Sequence, residues 1–415
     1  MNKSSFLNNK LLNKSDVALI CIIGMVAGFL VSRVALSISM FLFGLNLIWD
    51  VPPREWLRQK WWLTGLGWVA IYAITWFWTD DKANWHTRLE VKLPFLLLPL
   101  SFAFLPRLSP KQIRIFTISV GLMLVASAVY SVSFLIRDPA FYLKEYHQSH
   151  TLPTLPKEDH IRASTAIALY IIWALYALPL IIEKPAKWIT GICIALLVVY
   201  LHVLAAKSGL LSLYIFLASY GAYLGFTRHK LLGLVVVLAI PAFFVLSTTL
   251  MPTFNEKRNF IAFTYYKLTH GDKSGEIGDI NRLMSYDIAS KIIMQHPWTG
   301  VGTGDMLAEM KQGYDKWYPG VEEENKLLPH NQFLIVALGC GLPATLLFAI
   351  WVFMPLVGMG RNRQSFFFFM VWLVLFLQLM IEPVLEVQYG VFLYLFFMLF
   401  QRHELPAAKA VPARF

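Results

Sequence analysis

LLGLVVVLAIPAFFVLSTTL, residues 231–250, is twenty residues long and carries no charged side chain. Coiled as a helix it reaches about 30 Å, the thickness of a bilayer's hydrocarbon core. Working outward, comparable apolar runs lie at 17–31, 34–49, 62–78, 93–105, 113–136, 163–182, 188–206, 209–226, 333–354, 366–381 and 389–400, which makes twelve in all. The fourth and twelfth are short, and the fourth contains Pro94 and Pro99. Across 415 residues, 57% are hydrophobic and 15% charged, where a soluble chain has about 25% charged residues. These proportions exclude a set of soluble domains and indicate an all-α integral membrane protein.

The formal net charge is +11. In a soluble chain it would raise nucleic acid as a partner. In a membrane protein it reports orientation, because Lys and Arg collect in short cytoplasmic loops. With twelve spans and the N-terminus inside, every cytoplasmic segment is basic: Lys3, Lys10 and Lys14; Arg54, Arg58 and Lys60; Arg107, Lys111 and Arg114; Lys184 and Lys187; Arg228 and Lys230; Arg361 and Arg363; Arg402, Lys409 and Arg414. Those 18 bases face five acids, whereas the outer side holds 18 bases against 20 acids. Removing the fourth span would put the Arg54 and Arg107 loops on opposite faces, and removing the twelfth would move the basic tail outside. Twelve helices with both ends cytoplasmic is the consistent arrangement, with no nucleic-acid partner. Residues 1–16 are polar and basic, and the run that follows lacks a small-residue cleavage site, so it is expected to be an uncleaved first helix. Cys21, Cys193 and Cys340 fall inside apolar runs, where a thiol acts as a small hydrophobe.

The chain divides into spans one to nine (1–250), a large outer loop (251–330) and spans ten to twelve with a tail (331–415). No two-times-six internal repeat is evident. An outer segment of about 80 residues exceeds ordinary connection lengths and usually carries function. Within it, residues 280–295 read as an amphipathic helix with Met284, Ile288 and Ile292 on one face, Asn281 as its cap and Pro297 as its stop. A second outer segment, 137–162, carries His147, His150 and His160 among three prolines.

Three motifs follow one another toward the tenth span: Arg282-x-x-x-Tyr286, His296-Pro297-Trp298-Thr299-Gly300-Val301-Gly302-Thr303-Gly304, and His330-Asn331 followed after nine residues by Gly341. This ordered set resembles the O-antigen ligase and polymerase family of bacterial envelope glycosyltransferases, in which an arginine-led helix, an HP-x-x-G-x-G-x-G stretch and an HN-x9-G motif share the large outer loop. Two departures stand out. Gly341-Leu342-Pro343 leads to Ala344 where the family usually continues to Gly, Thr or Tyr, and Lys207-Ser208 stands where the family often has a Ser-Arg pair opening a middle helix. Lys keeps the charge and loses the planar fork that grips phosphate through two bonds.

The resemblance implies a C-type fold and an inverting, metal- and cofactor-independent transfer at the periplasmic face of the inner membrane. The donor would be an undecaprenyl pyrophosphate-linked glycan and the leading acceptor lipid A-core, with membrane lipids around the protein. Repeat-unit polymerisation and protein O-glycosylation are alternatives that differ only in acceptor. Such chemistry needs a group to take the acceptor's hydroxyl proton, which a histidine of ordinary pKa about 6.5 can do. It also needs fixed cations for the leaving pyrophosphate. His330 and Arg282 are the expected catalytic residues. Lys207, Arg162, Asn331, Tyr286 and Gly302 are expected at the substrate, with Asn331 orienting either the imidazole or the acceptor. Lipid head-group anchoring is the competing reading for Arg162 and Lys207, and for Gly302 the expectation is close approach either to the glycolipid or to a neighbouring helix.

Three other readings stand beside this one. Asp80-Asp81 at an early outer loop is where a metal-dependent enzyme would hold a divalent cation, or simply a solvated helix end. His147-x-x-His150 has zinc spacing but lacks further ligands in a proline-rich segment. A twelve-span transporter or lipid-glycan flippase would normally place ionisable residues within its spans, and here they are nearly absent.

Overall fold

The computed structural model describes residues 13–147, 150–156, 159–227, 229–270 and 278–404. The basic stretch before Asn13, Arg228, Glu158 and the tail carrying Lys409 and Arg414 lie outside the described residues. Those described form helices and connections, with no strand. The main helices are α1 (Lys14–Val31), α2 (Arg33–Gly44), α3 (Lys60–Ile74), α4 (Lys82–Glu90), α5 (Pro94–Ala103), α6 (Pro110–Arg137), α7 (His160–Ala177), α8 (Lys184–Leu204), α9 (Lys207–Phe226), α10 (Lys230–Leu250), α11 (Pro252–Thr269), α12 (Gly278–Gln295), α13 (Met306–Trp317), α14 (Gln332–Phe353), α15 (Arg363–Ile381) and α16 (Gln388–Glu404). Side chains set several of their starts. Ser109 and Gln112 form a reciprocal capping box ahead of α6, and Asp159, Asn331 and Asn362 cap α7, α14 and α15.

Eight of these helices are long and apolar enough to cross a membrane, and the chain is an integral membrane protein on that ground. The other four runs read as spans form the shorter helices α2, α3, α5 and α16, of 12, 15, 10 and 17 residues. For these four, crossing rests on the charge pattern and not on helix length. The opening stretch is α10, only 11% buried. It packs on α9 and turns its remaining leucines and valines outward, the disposition of a helix facing lipid.

Helix α14 packs against α3 and α15 in the bundle and against α12 beyond it. Its lower half carries Trp351, which stacks on Trp61 at 5.2 Å and meets Phe95, Phe348 and Tyr394. These rings lock α14 against α3, α5 and α16. Midway, Gly341 adopts φ +83° and interrupts the helix, and Pro343 follows. An α-helix would give the carbonyls of Leu338 and Gly339 the N–H groups of residues 342 and 343, but Pro343 has none. The loop after α12 supplies the missing partners. Val301 N–H donates to Leu338 O at 2.8 Å and Gly302 N–H to Gly339 O at 3.1 Å, while Leu342 N–H donates to Pro297 O at 2.8 Å. The two carbonyls freed by the break and the Leu342 N–H are thereby satisfied within protein, as hydrocarbon depth requires.

The outer loop holds the expected amphipathic helix, with one correction. α12 starts at Gly278, so Asn281 lies inside the helix rather than capping it, and its Nδ2 donates to Asn325 Oδ1 at 3.1 Å. Ile288 and Ile292 are buried against α13 and the start of α14, and the helix stops at Gln295, before Pro297.

A Cβ at position 341 would lie 2.4 Å from Trp298 O in a backbone conformation that side chains disfavour by about 1–3 kcal/mol. Gly341→Ala should therefore lower the apparent Tm of the purified protein by at least several degrees in a thermal scan. A change under about one degree would contradict the junction described.

Candidate active site

The site forms where three chain segments meet at one end of the bundle: α12, the start of α14, and the short turn 382–387 between α15 and α16. Glu382, with its side chain about nine-tenths buried, lies at the centre. Arg282 on α12 donates from Nη2 to its Oε1 at 2.9 Å, and His330 Nδ1 lies 3.2 Å from its Oε2. Two motif residues separated by 48 positions in sequence thus grip the two oxygens of one carboxylate. Burial pushes the Glu382 carboxyl up. The His330 hydrogen bond and the Arg282 and Arg162 guanidiniums outweigh that push and hold it below its ordinary value. An ionised carboxylate only accepts, so the Nδ1 facing it carries a hydrogen, and Nε2 is the nitrogen left free of this contact.

Neighbouring groups fix this arrangement. Tyr286, one turn after Arg282 on α12, donates its hydroxyl to the His330 carbonyl at 2.8 Å. Asn331 accepts from the N–H groups of Phe333 and Leu334 at 2.9 and 3.1 Å and donates to Met380 O at 3.1 Å. It caps α14 and ties it to α15. These contacts make Tyr286 and Asn331 positioning residues for the His330 segment.

Beside Glu382 is a cavity of about 260 Å³ lined by Lys207, Lys257, Arg282, His160 and Glu382, among others. The excess of fixed positive charge suits an anionic group. Lys207 opens α9 and lines this cavity, as the sequence reading expects of a phosphate contact. Arg162 stands behind it in the first turn of α7, with Nη1 on Asp159 Oδ2 at 2.7 Å and a buried Nε without a hydrogen-bond partner in the described structure. Gly302 is elsewhere. Its contacts are with Gly339 and with Thr79, whose hydroxyl would lie 2.4 Å from an added Cβ. Of its two expected uses, close approach to a neighbouring helix is the one these contacts serve.

A second buried network holds the 382–387 turn from behind. Glu386 receives Arg88 Nη1 at 3.1 Å, Lys92 Nζ at 3.1 Å, the Tyr72 hydroxyl at 3.0 Å and Gln332 Nε2 at 2.9 Å. Gln332 also accepts from Leu385 N–H at 2.7 Å, and Lys92 donates to Leu385 O. Burial alone would raise the Glu386 carboxyl. The Lys92 and Arg88 charges bring it down to about 2.

The two metal readings find other contacts. Asp80 and Asp81 donate their main-chain N–H groups to the two oxygens of Asp305, each at 2.8 Å, and the Asp81 side chain caps α4. His147 and His150 pair with different carboxylates, Glu256 and Glu145. Among the described residues no three His, Cys, Asp or Glu side chains converge. The sequence reading missed Glu382 and Glu386. Their signal was two acids in a seven-residue gap between the last two apolar runs, next to spans where ionisable groups are rare and usually functional. Lys257, in the outer loop, had no signal of its own.

The fold and site together define a helical membrane protein in which a histidine and an arginine share a buried carboxylate beside a cationic cavity. Residues 192–349 match the family model described as O-antigen ligase. The match points to a bacterial membrane enzyme with glycosyltransferase activity of the ligase and polymerase type. It includes Lys207, Arg282, Tyr286, Gly302, His330 and Asn331, and excludes Arg162, Glu382 and Glu386. No curated protein matches the chain.

Glu386→Gln would leave Lys92 and Arg88 buried without their counter-charge, a change that typically costs about 3–5 kcal/mol. Its Tm should fall far more than that of Glu382→Gln, whose partner Arg282 is about one-third exposed. The acid response should follow. Glu386 is depressed in the fold, so its contribution is complete above the unfolded value of about 4.3 and is lost as pH falls toward about 2. Wild-type stability should decline through this window more steeply than that of Glu386→Gln. Equal slopes would refute the assignment.

Proposed function

We propose that the protein transfers a preassembled glycan, an O-antigen, from undecaprenyl pyrophosphate to lipid A-core at the periplasmic face of the inner membrane. The observation that carries this reading is the shared carboxylate: His330 and Arg282 are held together by Glu382 beside a cavity rich in fixed cations. The family match supports the reaction class, and the basic cytoplasmic segments support the orientation, with twelve spans and both ends inside.

In the proposed step the acceptor's sugar hydroxyl attacks the anomeric carbon of the donor. The new glycosidic bond forms as the bond from that carbon to the pyrophosphate oxygen breaks. The hydroxyl proton passes to His330 Nε2, and the electron pair of the broken bond leaves on the lipid pyrophosphate. A single displacement of this kind inverts the anomeric centre. Glu382 accepts from Nδ1, which fixes the ring and stabilises the imidazolium as it forms. Arg282, Lys207 and Lys257 meet the charge that grows on the leaving group, with Arg162 behind them. Protein cations serve the role that a divalent metal would have at a pyrophosphate, in a setting where each counts for more than in water.

Purified protein in proteoliposomes with the lipid-linked donor and lipid A-core as sole acceptor should produce the transferred glycan. His330→Ala should lower kcat by roughly 10²- to 10⁴-fold while remaining folded. A folded His330→Ala that transfers at the wild-type rate would remove the base. Transfer to a lipid-linked repeat unit but never to lipid A-core would make the enzyme a polymerase.

A further inference from the structure

At the other end of the bundle from His330, a cavity of about 710 Å³ opens among the start of α3, the end of α5 and the ends of α14 and α16. The capped start of α14 lies at the site, and Met354 and Val357, just past its end, line this cavity. The two helical halves of these 22 residues, joined at the Gly341 break, reach up to about 33 Å, which puts the cavity toward the opposite membrane–water boundary. Four cationic side chains converge on it from three separate segments: Arg58 and Lys60, Arg107, and Arg402. No Asp or Glu lines it among the described residues, and Arg58, Lys60 and Arg402 form no ion pair there. Glu404, the acid nearest on α16, is buried, with an oxygen 3.4 Å from Leu108 N.

Orientation accounts for basic loops on this face but not for their convergence. Arg58, Lys60 and Arg402, gathered on one cavity, make it a favourable place for an anion. The walls beneath the cationic rim are Trp62, Phe102 and Leu399, apolar surface that a free phosphate ion cannot use. A ligand with a negatively charged phosphate and hydrocarbon chains uses both parts. The volume falls within the usual range for small-molecule sites, about 300–1,000 Å³, and basic pockets between spanning helices are a recognised setting for anionic head groups.

We propose that this cavity binds an anionic glycerophospholipid of the leaflet opposite the active site, with its phosphate among Arg58, Lys60 and Arg402 and its chains along Trp62, Phe102 and Leu399. The inference rests only on the chain spanning a bilayer and is independent of the reaction proposed.

The test uses the full-length protein in a neutral detergent, titrated with phosphatidylglycerol, phosphatidylcholine or glycerol 3-phosphate, with apparent Tm as readout. Phosphatidylglycerol should raise Tm by several degrees and the other two should not. The Arg58→Gln/Lys60→Gln/Arg402→Gln variant should need at least about tenfold more phosphatidylglycerol for the same shift. Lys184→Gln/Lys187→Gln, on the same face and away from the cavity, should respond as wild type. Because the triple variant might not fold, a photo-crosslinkable phosphatidylglycerol is also applied to the wild-type protein. Its adducts should map to residues 58–62, 99–107, 354–357 and 399–403. An equal shift with glycerol 3-phosphate, an unchanged response in a folded triple variant, or adducts confined to other segments would each overturn the proposal.

Discussion

A single carboxylate, Glu382, holds the site together. Its two oxygens take Arg282 from α12 and His330 from the segment just before α14, and removing it from water is tolerable only because both partners are present. Its charge also decides which nitrogen of His330 is free. The turn carrying Glu382 is too short to define its own conformation. It is held by Glu386, whose four partners come from α3, α4, the turn before α5 and the start of α14. The proposed base is therefore positioned by two buried anions, one in contact with it and one fixing the chain that delivers the first.

The glycine-rich stretch and the HN-x9-G motif are two sides of one structural junction. Gly341 and Pro343 break α14 and free two carbonyls, and the loop bearing Gly300 and Gly302 supplies the N–H groups that satisfy them. Gly300 at φ +65° lets this loop lie directly on the backbone of residues 338–340. The junction ties the end of α12, and so the helix that carries Arg282, to the helix whose start follows His330. The spacing of the motifs reflects this mechanical link as much as the chemistry.

The membrane class, the apolar runs that form helices and the amphipathic helix α12 were legible, because length and hydropathy are local properties. Motif and depth together made Arg282, His330 and Lys207 legible as candidates. Their convergence was not legible, since nothing along the chain encodes that α12 lies beside the turn after α15. Glu382 and Glu386 were visible only as two acids in a short gap, and their meaning depends on which cations fold against them. Tyr286 and Asn331, expected at the substrate, make their contacts within the protein itself: one holds the His330 carbonyl and the other caps α14. Asn281 was misread because Asn is an effective cap, whereas here packing of α12 on α13 extends the helix past it.

The central claim is that Glu382 acts through His330. A double-mutant cycle on glycan transfer in proteoliposomes tests it most directly, using His330→Ala, Glu382→Gln and the variant carrying both. If the carboxylate works by orienting the imidazole and stabilising its charge, nothing remains for it to do once the ring is gone. The double variant should then be no slower than His330→Ala alone. Losses that multiply, with the double variant slower by the full product of the two single effects, would show the two groups acting independently and contradict the account.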